Sequence, residues 1–275
     1  MISYCATVGF SLESANIVGY TEYATAAKNK PAFGACFMPL NGNDSYKLKD
    51  LVPTDFDADN DMIQVINPTT LGTDATYLYF SKEFADAVAE EENEEPGSFD
   101  ELIGWWNPSY DIGDELGACD EVPVKVGQAF LGLFESGNNI KFRSSGNVPL
   151  TSTAISTDCK KKPFFANYLP VTIKLGAIVP EDFDADNDMI QVINPTTLGT
   201  DATYLYFSKE FADAVAEEEN EEPGSFDELI GWWNPSYDIG DELGASNEVD
   251  VIPGAAFLGL FESGNNIIFN FPAAL

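Results

Sequence analysis

The chain has 275 residues, 44% of them hydrophobic, and its 46 acidic and 13 basic side chains give a formal net charge of −33. The apolar content excludes an intrinsically disordered chain, and the negative charge excludes binding to nucleic acid or anionic membranes, which requires Lys and Arg patches. The chain contains no histidine, so Ser-His and Cys-His nucleophile systems and most zinc sites are excluded, and we predict that it is not an enzyme.

A duplication organises the rest of the sequence. Residues 55–118 recur without a change at residues 182–245, a displacement of 127 positions. A second stretch, Ala129–Phe142, recurs at Ala256–Phe269 with a single substitution. Self-similarity on this scale is typical of a repeated building unit.

Two domains follow from the duplication. We predict one at residues 14–143 and one at residues 144–275, and a weaker match upstream aligns Phe33–Leu40 with Phe164–Val171. Each unchanged copy contains 17 acidic residues and one lysine, so the two copies carry almost the whole net charge. The acidity therefore belongs to one segment that is used twice.

The N-terminal segment has no domain of its own. In the repeat frame, residues 1–13 occupy the place that the last strand of the first domain has before the second domain. We predict that Met1–Glu13 is a surplus strand, which either pairs with its own N-terminal domain or crosses to a neighbouring subunit and extends a sheet there. We see no signal peptide in this segment, and no stretch of the chain approaches the ~20 apolar residues of a membrane span.

An alternating run of aspartates opens each unchanged copy. Asp55, Asp57, Asp59 and Asp61 return as Asp182, Asp184, Asp186 and Asp188. Carboxylates that alternate along an extended loop can converge as the hard oxygen ligands that Ca²⁺ prefers, although the spacing is not that of an EF-hand. We predict a calcium site at each run, and a solvated acidic turn is the alternative.

Short apolar and β-branched runs, bounded by Gly, Pro, Asn and Asp, predict that each domain is mostly β. Examples are Met62–Ile66, Thr76–Phe80, Ala129–Phe134 and Asn139–Phe142. The turn signal at Glu135–Asn138 predicts that the last two runs form a hairpin. Short strands at roughly ten-residue spacing are typical of a β-sandwich or barrel, so we predict two tandem domains of that kind.

One short helix is predicted to interrupt the strands of each domain. Ser81 is a suitable N-cap, and Phe84 and Val88 lie one turn apart on a common face. The acid-rich run Glu90–Glu95 opposes the helix dipole, so we expect the helix to end there in an exposed loop. This run and its copy, Glu217–Glu222, could supply the carboxylate pair of a glycosidase, but we interpret both as solvated loops.

Paired tryptophans follow the helix in each copy. Trp105 and Trp106 recur as Trp232 and Trp233, next to turn residues. Adjacent rings of this kind can stack on a sugar, pack into the core or lie in a subunit interface, where aromatic side chains concentrate. We favour the interface over a sugar site, and a glycan is the partner in the alternative interpretation.

The four cysteines, Cys5, Cys36, Cys119 and Cys159, are not duplicated, and no C-x-x-C motif occurs. This pattern suits disulfides better than a metal cluster. Cys36 and Cys119 belong to the same domain and form the natural pair, which leaves Cys5 for Cys159, between subunits if the N-terminal strand crosses. Two disulfides would imply an oxidising, extracellular setting, and four buried thiols in a cytosolic protein are the alternative.

Several motifs together resemble those of a known group of proteins. They are NIVGY at Asn16–Tyr20, DLVPTDFDADND at Asp50–Asp61, the strand MIQVI, the tripeptide GWW and the closing AFLGL. The chain is similar, over nearly its whole length, to the tandem β domains of extracellular proteins from environmental bacteria, which often occur as strings of such units. The resemblance implies a secreted or cell-surface structural role and brings no catalytic residues with it.

Taken together, the sequence predicts an extracellular structural protein that polymerises with itself into a filament, sheath or surface layer. Strand addition and head-to-tail packing of the repeats would propagate the polymer, and cations would relieve the repulsion between carboxylates. The alternative is a carbohydrate-binding or adhesive surface module that uses the tryptophan pairs.

Overall fold

The computed structural model describes residues 18–36, 45–239 and 241–274, and these residues form a mostly β fold, as predicted. Within these ranges, twenty short strands form antiparallel sheets, and two α-helices interrupt them. Neither of these helices is long and apolar enough to cross a membrane. We refer to the part that contains β1 to β10 as repeat 1 and to the part that contains β11 to β20 as repeat 2.

The elements of the two repeats follow each other in the same order. Those of repeat 1 are β1 (Val18–Ala24), β2 (Ala32–Gly34), β3 (Ser45–Lys47), β4 (Val52–Thr54), β5 (Asp61–Ile66), β6 (Thr73–Phe80), α1 (Lys82–Glu91), β7 (Gly104–Trp106), β8 (Pro123–Lys125), β9 (Ala129–Phe134) and β10 (Lys141–Asn147). Those of repeat 2 are β11 (Thr153–Ser156), β12 (Phe164–Ala166), β13 (Ile173–Lys174), β14 (Val179–Glu181), β15 (Asp188–Ile193), β16 (Thr200–Phe207), α2 (Lys209–Glu218), β17 (Gly231–Trp233), β18 (Asp250–Val251), β19 (Ala256–Phe261) and β20 (Ile268–Phe271).

The sheet topology is also the same in the two repeats. In repeat 1 the strand orders are β2-β9-β5-β6-β7, β1-β10-β4 and β3-β8, and in repeat 2 they are β12-β19-β15-β16-β17, β11-β20-β14 and β13-β18. Each of these sheets takes its strands from one repeat. Strand β10 continues to Asn147, past the domain boundary predicted at residue 143, and pairs with β1 and β4 of its own repeat.

The five-stranded and three-stranded sheets of a repeat share one hydrophobic core. In repeat 1, Phe33 and Phe130 enter the core from the five-stranded sheet, and Phe142 enters it from the three-stranded sheet. The rings of Phe33 and Phe142 stack with their centroids 4.3 Å apart. Phe165 and Phe269 stack in the same way in repeat 2, at 4.6 Å. Two sheets that interleave side chains from their inner faces form a sandwich-like arrangement.

The outer strands of the three-stranded sheets differ between the repeats. On β1, Glu22 forms ion pairs with Lys141 and Arg143 of β10, at 3.6 and 3.2 Å. Glu22 lies opposite Arg143, and the corresponding pair in repeat 2 is Ala154 opposite Asn270. The surface of this sheet therefore carries ion pairs in repeat 1 that repeat 2 lacks at the same positions.

The predicted helix is confirmed at its start and its end. The Ser81 hydroxyl accepts a hydrogen bond from the Phe84 backbone N–H at 3.2 Å, as expected of an N-cap. The Phe84 ring then stacks on Phe80 with 4.3 Å between centroids, which fixes the helix to the end of β6. The helix ends at Glu91, inside the acidic run.

The predicted hairpin between Ala129–Phe134 and the following run is wrong. Strand β9 pairs with β2 and β5 in the five-stranded sheet, whereas β10 pairs with β1 and β4 in the three-stranded sheet. The turn signal at Glu135–Asn138 is real, but the chain uses it to pass from one sheet to the other. Both faces of β9 are largely buried, so β9 is a central strand with partners on both sides.

The upstream alignment of the repeats is wrong by one residue. Strand β2 places Phe33 opposite Phe130, and β12 places Phe165 opposite Phe257. Since Phe130 and Phe257 are equivalent in the duplication, Phe33 corresponds to Phe165, not to Phe164. Successive side chains of a strand point to opposite faces, so the predicted register would have exchanged core and outer positions of β12.

The predicted surplus strand, Met1–Glu13, lies outside the described residues, and so does Cys5. Both repeats complete their sheets without it, because β1 and β11 take equivalent places beside β10 and β20. Whether this strand pairs with its own domain or with a neighbour stays a prediction.

The two repeats of the chain meet through equivalent residues. Four backbone hydrogen bonds join them in two matched pairs: Gly34 N–H to Gly254 O (3.0 Å) with Ala166 N–H to Gly127 O (2.8 Å), and Lys30 N–H to Pro195 O (2.7 Å) with Lys162 N–H to Pro68 O (2.8 Å). Such reciprocal contacts are isologous and close on themselves. The two repeats of one chain therefore pack through an isologous contact, whereas the sequence had predicted head-to-tail packing.

The close approach at this junction depends on small residues. A Cβ atom added to Gly34 would lie 2.4 Å from the Cβ of Ala166. We expect Gly34→Ala to lower the free energy of unfolding by about 1–3 kcal/mol, because overpacking forces the backbone to shift. Gly72→Ala is the matched control, since its nearest contact would be a flexible hydroxyl at 3.3 Å. Urea denaturation measures both, and equal effects would contradict the junction geometry.

Candidate functional site

The aspartate run that opens each copy folds into a loop held by its own carboxylates. Asp57 accepts hydrogen bonds from the Asp59 backbone N–H at 3.0 Å and from the Asn60 side chain at 2.8 Å. Asp61 is fully buried and accepts from the backbone N–H groups of Asp57 at 2.9 Å and Ser136 at 3.1 Å. The Asp61 carboxylate therefore ties this loop to the connection between β9 and β10.

The copy in repeat 2 has the same bonds at the same distances, with Asp184 and Asp188 as acceptors. In the described part of the chain, no three carboxylate or thiol side chains come together in a way that could hold a metal ion. The carboxylates of Asp55, Asp57, Asp59 and Asp61, and of their copies, therefore do not fit the predicted calcium site in this arrangement, because two of the four are occupied by N–H donors. Calcium binding stays a prediction.

The first tryptophan of each pair is a core residue. Trp105 is fully buried, and its indole N–H donates to the Leu51 carbonyl at 2.9 Å. Tyr79 and Phe56 meet it edge-on, with centroid distances of 5.2 and 5.8 Å. Trp232 repeats this environment with a 2.8 Å bond to Ile178. Neither ring has a face free for a sugar.

The second tryptophan lies in a smaller cluster under the helix. Trp106 is 6% exposed and donates its indole N–H to the Leu102 carbonyl at 2.7 Å. It packs against Phe80, which in turn stacks on Phe84 of α1. The same rings surround Trp233 in repeat 2. The tryptophan pairs thus join the helical insert to the sandwich and do not form the exposed platform of the alternative interpretation.

A cavity of about 240 Å³ opens at the surface beside Trp106. Phe80 and Phe84 line it together with Tyr110 and Ile112 from the loop that follows β7. Its lining is largely apolar, with Asp59 and Asn107 as the polar exceptions among the side chains. By volume, the cavity could hold an apolar side chain of another protein.

The loop after β7 exposes large apolar side chains in an otherwise acidic surface. Ile112 is 57% and Leu116 is 73% exposed, and Tyr110 is also exposed. Tyr237, Ile239 and Leu243 repeat this pattern in repeat 2. We call these six residues the apolar loops. These residues cannot be recognised in the sequence, because three apolar residues among Gly, Pro and Asp show neither strand nor helix periodicity.

The surface of each helix is strongly acidic. Lys82 forms ion pairs with Asp86 at 2.9 Å and with Asp100 at 3.1 Å, and these hydrogen bonds raise the pKa of the lysine. Glu90–Glu95 are all exposed, and none of their carboxylates has an ion-pair partner among the described residues. We call Glu90–Glu95 and Glu217–Glu222 the acidic inserts.

The predicted disulfide between Cys36 and Cys119 is absent, and both thiols are free and buried. The two cysteines lie in different surroundings. Cys36 is next to Tyr46 and to Gly254 across the junction, whereas the Cys119 thiol donates to the Gly117 carbonyl at 3.2 Å. Cys159 is free and exposed, and its predicted partner, Cys5, is not in the described residues.

The burial of these thiols predicts their reactivity. Burial raises the pKa of Cys36 to about 12 and also raises that of Cys119, so little thiolate forms at neutral pH. We expect the native Cys5→Ser variant to show a single thiol that reacts rapidly with a chromogenic disulfide reagent. The additional change Cys159→Ser should remove that fast phase. A second fast-reacting thiol in the folded Cys5→Ser variant would contradict the burial of Cys36 and Cys119.

Comparison of the chain with protein-family models, with characterised proteins and with solved structures finds no match.

Proposed function

We propose that this chain is an extracellular structural protein that assembles with itself into a filament, sheath or surface layer. The observation that carries this proposal is that one chain presents the same apolar loop twice, next to the same aromatic cluster. The contact between the repeats uses other residues, at Gly34 and Ala166, so both apolar loops face outward. A chain with two copies of one contact surface can join two neighbours, which is the requirement for a polymer.

Strand addition is the second part of the proposal. The edge strands β4 and β14 carry Pro53 and Pro180, which lack the N–H needed to pair with another strand. On the opposite edge of the same sheet, β11 has no such block. We propose that Met1–Glu13 of one copy adds to β11 of a neighbour, which would also bring Cys5 toward Cys159.

Cations assist this assembly by screening the repulsion between the negatively charged copies. Each chain carries a net charge of −33, so copies repel each other until counterions accumulate between them. The extracellular setting is supported by this acidity and by the resemblance to tandem surface domains. Of the two predicted disulfides that would indicate an oxidising setting, the one between Cys36 and Cys119 is absent.

Negative-stain electron microscopy and light scattering of the purified protein test the proposal. We expect polymers that shorten when Ile112 and Leu116 are changed to serine, and that disappear when Ile239 and Leu243 are changed as well. Monomeric wild-type protein at every calcium concentration and ionic strength would contradict the proposal. Comparing calcium with sodium at matched ionic strength separates a calcium site from screening.

A carbohydrate-binding module is the alternative function, and the cavity beside Trp106 is the observation that favours it. Tyr110 could stack on a sugar at the mouth of the cavity, and Asp59 and Asn107 could bind hydroxyl groups. Retention of the protein on immobilised glycans, lost in Tyr110→Ala while assembly persists, would favour this alternative.

A further inference from the structure

Most of the basic residues of this acidic chain form ion pairs, but a few lysines have no ion-pair partner among the described residues. Nine of the 13 basic residues have a carboxylate within 4.0 Å: Lys47, Lys49, Lys82, Lys125, Lys141, Arg143, Lys160, Lys174 and Lys209. The remaining four, Lys28, Lys30, Lys161 and Lys162, have no such partner in the described residues. In a chain with 46 acidic residues, four lysines without a carboxylate nearby require an explanation.

These four lysines lie in two equivalent loops. Lys28 and Lys30 belong to the connection between β1 and β2, and Lys161 and Lys162 belong to the connection between β11 and β12. Both loops flank the junction of the repeats, where Lys30 and Lys162 make the matched backbone bonds. We call these the basic loops. Loop 158–162 is the more strongly basic of the two, because Lys125 and Lys160 share the single carboxylate of Asp158 there.

The acidic inserts lie at the opposite edge of each sheet. In the order β2-β9-β5-β6-β7, β2 is at the junction, and the helix joins β6 to the segment before β7. Four strand spacings of about 4.8 Å place the insert roughly 19 Å from β2. Since the Debye length is about 8 Å at physiological ionic strength, the inserts cannot neutralise the basic loops of their own chain. The acidic insert and the basic loop of each repeat therefore lie at opposite edges of its five-stranded sheet.

We propose that the basic loops of one copy bind the acidic inserts of a second copy. This inference rests on the proposed function and names the charged contact that would order the polymer. Each chain has two acidic inserts and two basic loops, so every acidic insert can find a basic loop on a neighbouring copy. Because an insert meets a different surface on its neighbour, the contact is heterologous and can propagate. Complementary charge also fixes the orientation of the approaching copy.

Reversing the charges in two separate variants tests this contact. The loop variant carries Lys28→Glu, Lys30→Glu, Lys161→Glu and Lys162→Glu. The insert variant carries Glu92→Lys, Glu94→Lys, Glu219→Lys and Glu221→Lys, positions at the end of each helix where lysine also suits the helix dipole. All eight side chains are at least partly exposed, and circular dichroism and thermal unfolding check that both variants fold.

We expect each variant alone to self-associate at least about tenfold more weakly than the wild type in sedimentation at low salt, because several exposed ion pairs become repulsive together. An equimolar mixture of the two variants should regain assembly, since each then offers the charge that the other needs. A control with Lys47→Glu, Lys49→Glu, Lys141→Glu and Lys174→Glu changes the net charge equally, away from the loops. Once circular dichroism and thermal unfolding show that it folds, it should retain more assembly than the loop variant.

Two results would overturn the inference. If wild-type polymers form but the loop variant assembles as well as the wild type, the basic loops are not the contact, and the proposed function stands without them. If the control variant loses assembly to the same extent and the mixture does not recover it, a general charge effect explains the data. Wild-type protein that never assembles would reject the proposed function itself.

Discussion

Replacing Trp105 by alanine is expected to lower the free energy of unfolding by about 3–5 kcal/mol, the range for removing a large aromatic side chain from a core. The side chain is fully buried, so its removal leaves a cavity between the sheet and the 3-10 segment at Leu48–Asp50. The change also leaves the Leu51 carbonyl without its indole donor. Guanidinium denaturation followed by far-ultraviolet circular dichroism measures the effect without relying on tryptophan fluorescence.

Two comparisons make this result specific. Trp232→Ala should have an effect of similar size, because its burial and its carbonyl partner are equivalent in repeat 2. Tyr110→Ala removes an exposed ring from the loop that follows β7 and should change stability by less than about 0.5 kcal/mol. If Trp105→Ala unfolded at the wild-type denaturant concentration, the ring would belong to a surface platform and our assignment to the core would be incorrect.

Asp61→Asn is the second change with a large expected effect. The buried carboxylate accepts backbone N–H bonds with both oxygens, and an amide can replace only one of them. We expect a loss of about 1–3 kcal/mol, the cost of leaving a buried donor unsatisfied. Differential scanning calorimetry measures this loss, and Asp188→Asn should show a similar one.

Asp59→Asn is the matched control, because its carboxylate is exposed and accepts none of the bonds that hold the loop. We expect its stability to equal that of the wild type, with or without calcium at constant ionic strength. A calcium-dependent stabilisation that both Asp59→Asn and Asp61→Asn abolish would restore the metal site predicted from the sequence. Loss of stability in Asp61→Asn alone supports the structural role of this aspartate.

Local features of the fold could be predicted from the sequence because they depend on nearby residues. The cap at Ser81, the end of the helix in the acidic run and the strands at Met62–Ile66 and Thr76–Phe80 follow from side-chain chemistry over a few positions. The pairing of β9 could not be predicted in this way. A turn of the same composition can close a hairpin or carry the chain to another sheet, and distant strands decide between them.

The geometry of the candidate sites could not be predicted from the sequence for a similar reason. Alternating aspartates have the same pattern whether their oxygens bind a cation or backbone N–H groups, and the donor that decides the case for Asp61 is 75 positions away at Ser136. The sequence left sugar binding, core packing and a subunit interface open for the tryptophan pairs, because the burial of both rings depends on the sheet behind them. The basic loops could not be predicted from the sequence, since only the fold shows which lysines have no carboxylate neighbour among the described residues.

The ion pairs between β1 and β10 bear on how this chain avoids misfolding. Two repeats with the same sheet topology offer β1 a second, similarly shaped site beside β20, which invites exchange of strands between the halves during synthesis. The residues that differ between the repeats must therefore determine which strands pair with each other. Glu22 finds Lys141 and Arg143 on β10 but would meet Ile268 and Asn270 on β20. These ion pairs therefore favour the pairing of β1 with β10 over its pairing with β20.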